Sequence, residues 1–160
     1  MKKLKLYLET SVWNFLFAED APEQRDKTKI FFDEIKEGKY EIYISPLVIT
    51  EIERTIDKKK RAVLLDTIRK YRPKELTGRE DENSELATQY LKNKVVPQKY
   101  KDDATHIAIA VVHQMDVMVS WNLRHIVKLA TRTKVNGINK LEGYKEIEIC
   151  TPEEVIEVEE

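Results

Sequence analysis

Short apolar stretches alternate along the chain with longer segments whose apolar residues recur every three or four positions. Residues 4–8 read as a strand closed by a polar turn at Glu9, Thr10 and Ser11. Residues 18–26 are polar with one proline, which predicts a loop entering a helix over 27–36, stopped by Gly38. Residues 41–45 alternate polar and apolar as a strand does, and Ser45-Pro46 is a helix-start signature with serine as cap and proline in the first turn. Helices are expected over 47–58, 60–71 and 80–93, with a short strand near 75–77 and a loop over 95–101. Residues 103–113 are apolar on nearly every face, so that helix should be central and buried. Residues 117–120 predict a buried strand, 123–141 a largely helical segment and 146–150 a last strand. The expected organisation is one domain over 1–150 and an acidic tail over 151–160, without internal repeat or linker. Strands alternating with helices imply an α/β fold: a parallel sheet covered by helices on both faces.

Composition narrows the class. A chain of 160 residues suits a single domain, and 41% hydrophobic content is enough for a real core, which argues against bulk disorder. Basic residues number 28 against 29 acidic ones, so net charge carries no sign of nucleic acid and only charge placement can. The single cysteine, Cys150, excludes an intramolecular disulfide and a multi-cysteine zinc site, and fits a reducing cytoplasm. Glu9 interrupts the early apolar stretch, so no secretory signal is expected. The longest apolar run, 107–112, is far too short to cross a bilayer.

In parallel α/β folds the reactive groups gather outside the carboxyl ends of the strands. Four polar positions fall there: Glu9 ends the first strand, Asp102 and Asp103 open the buried helix, Asn122 follows the strand 117–120, and Glu51 lies a turn and a half into the helix after the second strand. Placed at 100° steps, Val48, Ile49, Ile52 and Ile56 form one stripe, with Glu51 flanking it and Glu53 and Arg54 facing away. A carboxylate tucked beside apolar residues is costly unless a cation meets it. Mg²⁺ or Mn²⁺ suits an oxygen-rich set of this kind, and such ions can activate water and stabilise the leaving oxygen of a phosphodiester. Taken singly, each acid also has a plain reading, as helix cap, strand-end acid or half-exposed surface.

The chain resembles the PIN-domain nucleases. Leu6-Tyr7-Leu8-Glu9-Thr10-Ser11-Val12 is similar to the first-strand motif, Ser45 through Ile52 to the helix carrying the second acid, Asp102 through Ala110 to the third motif and Val119 through Ile126 to the fourth. The resemblance implies a parallel five-stranded sheet, an endoribonuclease dependent on Mg²⁺ or Mn²⁺, and a homodimer. Many relatives are toxins of the VapC type paired with a small antitoxin, so RNA and such a partner are implied as well. Glu9, Glu51 and Asp103 take the catalytic positions and, with Asn122, the metal positions, leaving Asp102 to support them from behind. Two positions depart from the pattern: Glu9 stands where Asp is usual, and Asn122 where Asp is frequent.

Residues 117–141 contain no acid but carry Arg124, Lys128, Arg132, Lys134 and Lys140, and Lys99 and Lys101 precede Asp102. Arg124, Lys128 and Arg132 repeat every four residues, which predicts a basic helical face suited to a polyanion such as RNA, or simply a solvated face. His106 is expected to make a structural hydrogen bond, Cys150 to be an inert thiol, and Trp13 and Trp121 to serve packing more than base stacking. Thr10 and Ser11 either support metal waters or cap the next helix. The alternative readings are a non-catalytic PIN-like module that binds RNA or a protein, and a phosphohydrolase of small esters. The absence of a Gly-rich phosphate loop, with only 4 glycines, stands against the latter.

Overall fold

Leu4–Leu8 (β1) has no exposed face: Leu6, Tyr7 and Leu8 are all fully buried although alternate residues point to opposite sides of a sheet. That requires covering layers on both sides, and the rest of the chain supplies them. The computed structural model describes residues 2–156. Within them the order continues α1 (Thr10–Phe15), α2 (Pro22–Lys36), β2 (Tyr40–Ile44), α3 (Pro46–Glu53), α4 (Lys58–Tyr71) and β3 (Lys74–Glu75). It then runs α5 (Glu80–Lys92), α6 (Lys101–Val112), β4 (Val117–Val119), α7 (Leu129–Glu142), β5 (Glu148–Cys150) and α8 (Pro152–Val155). The five strands form one all-parallel sheet in the order β3-β2-β1-β4-β5, as the alternation of elements predicts.

The order reverses at β1. The chain steps outward from β1 through β2 to β3, then returns to the other side of β1 for β4 and β5. Connections therefore diverge between β1 and β4, leaving a crevice at their carboxyl ends, the usual ligand position in open parallel sheets. Leu6 is paired with Val117 and Leu8 with Val119, and Glu9 N–H donates to Val119 O at 3.1 Å, so the last residues of both strands end side by side. Helix α6 is buried along most of its length, from Ala104 through Val112, as its all-round apolar pattern requires.

Several elements differ from expectation, each for a local reason. The polar turn after β1 is the start of α1, capped by the Glu9 side chain, which accepts from Ser11 N–H. Helix α2 begins at Pro22, five residues before the expected Lys27, because proline is favourable in a first turn where its missing N–H is not needed. Helix α3 ends at Glu53, and Asp57 caps α4 by accepting from Lys59 and Lys60 N–H, so Ile56 leaves the apolar stripe and is exposed. Helix α7 starts at Leu129; residues 123–128 are turns closed by Ile126 and Val127 N–H donating to Asn122 O.

Residues 151–156 were expected to belong to an acidic tail. They form α8 with a Thr151/Glu154 capping box, packed on α2, with Ile156 buried; 157–160 lie outside the described residues. No helix among the described residues is long and apolar enough to cross a membrane.

The side layer α5–α7 is pinned by a polar contact in its interior. Tyr90 O–H donates to Asn139 Oδ1 at 2.5 Å, with both residues fully buried. Tyr90→Phe strands that amide oxygen and should cost about 1–3 kcal/mol, lowering the melting temperature by roughly 2–12 °C. Tyr90→Phe/Asn139→Leu, which removes both partners, should melt closer to wild type. Circular-dichroism melts of the three proteins check this, and an unchanged Tyr90→Phe melt assigns the contact no net stability.

Candidate metal centre at the carboxyl ends of the strands

Glu9 follows the last residue of β1 and is almost fully buried, yet no cation of the described residues bonds to it. Three neutral donors hold its carboxylate instead. Ser11 O–H and Ser120 O–H both donate to Oε1, at 2.5 and 2.6 Å, and Ser11 N–H donates to Oε2 at 3.0 Å. Each serine also accepts from the turn after β4: Trp121 N–H to Ser11 Oγ at 2.8 Å and Asn122 N–H to Ser120 Oγ at 2.9 Å. Glu9 therefore organises the start of α1 and the loop beyond β4 together. Glu9, not Ser11, is the cap of α1: Ser11 N–H is the group it caps, and the Ser11 hydroxyl holds the same carboxylate.

Glu51, half-buried on α3, is held by a different chemistry. Its Oε1 accepts from Thr10 O–H at 2.6 Å and is in hydrogen-bond contact with His106 Nε2; neither bond uses Oε2. His106 lies fully buried one turn into α6, and its Nδ1 is 2.6 Å from Tyr7 Oη, which is 2.7 Å from Ser45 Oγ. The chain Ser45–Tyr7–His106–Glu51–Thr10 thus ties β2, β1, α6, α3 and α1 to one carboxylate. Burial alone would raise the Glu51 carboxyl, but the hydrogen bond and charge of His106, with Thr10, leave it lowered. Burial opposes an imidazolium at His106, yet the bond to Glu51 and the charges of Glu9, Glu51 and Asp103 raise it. Both directions favour the ion pair of carboxylate and imidazolium over the neutral pair.

Asp103, in the first turn of α6, is pushed up to about 6, first by burial and then by the charge of Glu9, with Glu51 adding to it. It accepts from Asn122 Nδ2 at 3.3 Å, while Asn122 Oδ1 accepts from His125 N–H at 3.0 Å and shapes the turn. Asn122 so presents a nitrogen to the carboxylate and commits its oxygen locally. Asp102 points elsewhere and pairs with Arg54 at 3.0 Å, bracing the start of α6 against the end of α3.

Glu9, Glu51 and His106 each bring one donor atom to within 4.8 Å of the others; Asp103 lies outside that tight set and joins it through its charge. The residues fit a divalent cation by donor chemistry: three carboxylates share a half-buried crevice, where burial first and then the charges of Glu9 and Glu51 raise Asp103. Sequence reasoning gave His106 a structural bond but not its partner. The 55-residue separation from Glu51 left no local signal.

The expected basic helical face does not form. Arg124 lies in the turns before α7, Lys128 caps that helix, and Arg132 in its first turn is close enough to Cys150 on β5 for its charge to act on the thiol. Lys99 and Lys101 are exposed beside the start of α6. Cys150 is pushed up to about 11 by burial and the charges of Glu154 and Glu148, consistent with an inert thiol. Both tryptophans are buried, and Trp121 Nε1–H donates to Thr28 Oγ1 at 2.8 Å.

Known proteins give this geometry a family. No curated protein matches the sequence. Among solved structures, the fold is similar to a chain in the crystal structure of VapBC2 from Rickettsia felis bound to a DNA fragment from their promoter. That likeness has a TM-score of 0.52 and 13% identity, covering 92% of this chain and 98% of the other. The family model for the PIN domain matches residues 6–130, the span that holds Glu9, Glu51, His106, Asp103 and Asn122. The chain belongs to the PIN domain family.

Proposed function

We propose that this protein is a metal-dependent endoribonuclease that cleaves RNA phosphodiesters as the toxin of a toxin–antitoxin pair in the cytoplasm. The observation that carries the reading is the gathering of Glu9, Glu51 and Asp103 at the switch point, where burial and then the charges of Glu9 and Glu51 push the Asp103 acid up to about 6. Glu9, Glu51 and Asp103 would hold Mg²⁺ or Mn²⁺, which when bound supplies an activated water and stabilises the leaving oxygen. The remaining roles belong to the chain's own side chains. Ser11 and Ser120 fix the Glu9 carboxylate; Thr10 and His106 fix Glu51 through Oε1; Asp102, through Arg54, fixes the start of α6. Asn122 would ligate the ion through Oδ1 only by giving up the bond from His125 N–H, so its role in this reading is to hold Asp103.

The likeness to a chain of VapBC2 supports a small protein antitoxin as partner, and exposed Phe17, Val63 and Ile56 supply apolar surface for it or for a homodimer. A second reading, a PIN-like module that binds without cutting, draws on the three neutral donors that already satisfy Glu9.

Cleavage of single-stranded RNA under titration with Mg²⁺ and Mn²⁺ separates the two. Wild type should cut; Glu9→Gln and Asp103→Asn should lose activity and metal affinity together. His106→Phe removes a supporting contact, not a ligand, and should lower both by roughly 10–100-fold, with His106→Gln recovering part of the loss. Wild type that cuts no RNA with either ion leaves only the binding module.

The metal-free protein should also show the Asp103 titration. A folded pKa of about 6 lies above the ordinary aspartate value of 3.8, so the native state binds the extra proton between them. The stability this group contributes is present below about 3.8 and is lost as pH rises through about 6. Melting temperatures in chelator should therefore favour Asp103→Asn over wild type increasingly from about pH 4 to about pH 7. A difference that is flat across that range would mean Asp103 is not crowded by Glu9 and Glu51.

A further inference from the structure

A second feature, of opposite sign, is hydrogen-bonded to the acidic centre through Asn122 and His125. A cavity of about 790 Å³ lies between the end of α5, the loop after it and the start of α7. Lys92, Lys94, Arg124, Lys128 and Lys134 line it together with His125, and no acidic side chain does. Net charge of −1 over the whole chain makes this segregation a property of the site and not of composition. The field is visible at His125: burial, then the charges of Arg124 and Lys128, lower its imidazole, as a surplus of cations requires. Lys134 Nζ–H donates to Lys94 O at 3.4 Å, so the two walls are in contact.

The trough is mechanically joined to the metal centre. His125 N–H donates to Asn122 Oδ1, and Asn122 Nδ2–H donates to Asp103, so two hydrogen bonds separate the cationic wall from the acid. Tyr100 stacks on the His125 ring with centroids 4.2 Å apart, and Lys101 and Asp102 follow it directly into α6.

We propose that this trough binds the phosphate backbone of single-stranded RNA flanking the bond held at the acidic crevice. The inference rests on the nuclease reading for the identity of the strand, and on the trough alone for its path. A cationic groove beside an exposed ring tracks a flexible single strand, whereas a duplex presents a stiff surface to a cavity of this size. Lys92, Lys94 and Lys134 are exposed and outside the metal centre, so they act on affinity and not on chemistry. Their position could not be read from the sequence, because residues 92–94 and 124–134 meet only in the folded chain.

The test compares the full chain with Lys92→Gln/Lys94→Gln/Lys134→Gln on a 12-nucleotide single-stranded RNA. Anisotropy titrations are run across a salt series in Ca²⁺, and cleavage is followed in Mn²⁺. Each lost phosphate contact should remove about 0.7 from the log–log salt slope, so the triple variant should lose about 2 and bind at least tenfold more weakly at low salt. KM should rise while kcat at saturation is unchanged. Unchanged affinity and slope, in a wild type that does cut RNA, overturn the trough. Displacement of an acidic peptide without any change in RNA binding also overturns it, in favour of a protein ligand. A wild type that binds with the expected trough-dependent slope but cuts nothing supports the trough and removes the nuclease reading instead.

Discussion

The structure depends on one electrostatic constraint: three carboxylates, at the end of β1, on α3 and on α6, act on one another by charge in a half-buried crevice, with His106 and Arg54 as the nearby cations. Two like charges about 5 Å apart at an effective dielectric near 20 repel by about 3 kcal/mol. A hydrogen bond to a charged group returns about 1.5–3 kcal/mol. The three donors on Glu9 therefore outweigh one such repulsion. Glu51 has fewer neutral donors and a cationic partner in His106. Asp103 accepts from the amide of Asn122, and burial with the charges of Glu9 and Glu51 makes it hold its proton to about pH 6. The order in which the acids are satisfied follows from the donors each has.

The fold supplies the place where that constraint arises. Because β1 is central and the chain leaves it in both directions, the carboxyl ends of β1 and β4 are not crossed by a connection. Helix α6 enters the crevice with its first turn, where backbone N–H groups lack helical partners and negative charge is favoured. Asp102 and Asp103 occupy that turn. Its remaining length is apolar on nearly all sides, so the helix cannot shift to relieve the acids without exposing Ile107 through Val112.

Most of the architecture was legible in the sequence because strand and helix periods do not overlap. The five strands and the buried α6 follow from patterning alone, and Glu51 was separable from Glu53 by its angular position beside Val48 and Ile52. What was not legible has physical causes. Glu is an uncommon helix cap, so α1 read as a turn; the i, i+4 spacing of Arg124, Lys128 and Arg132 implied a helix that Asn122 O interrupts by accepting from Ile126 and Val127 N–H. Contacts between distant segments, His106 with Glu51 and Lys134 with Lys94, leave no periodic trace. The acid positions were visible as acids, but which donor satisfied each was not.

The residue at position 9 shows why identity at a motif position is not a detail. A carboxylate there must reach two hydroxyls on different elements, Ser11 on α1 and Ser120 after β4, while its second oxygen accepts from Ser11 N–H. The extra methylene of glutamate gives the carboxylate that reach. The two serines pass the connection on to Trp121 and Asn122 N–H, so the length of one side chain sets the distance between α1 and the turn that carries Asn122. That turn in turn fixes His125, and with it the wall of the cationic trough. Glutamate at position 9 is thus matched to serine at 11 and 120: shortening it would detach the acid from the β4 loop before it altered the charge of the crevice.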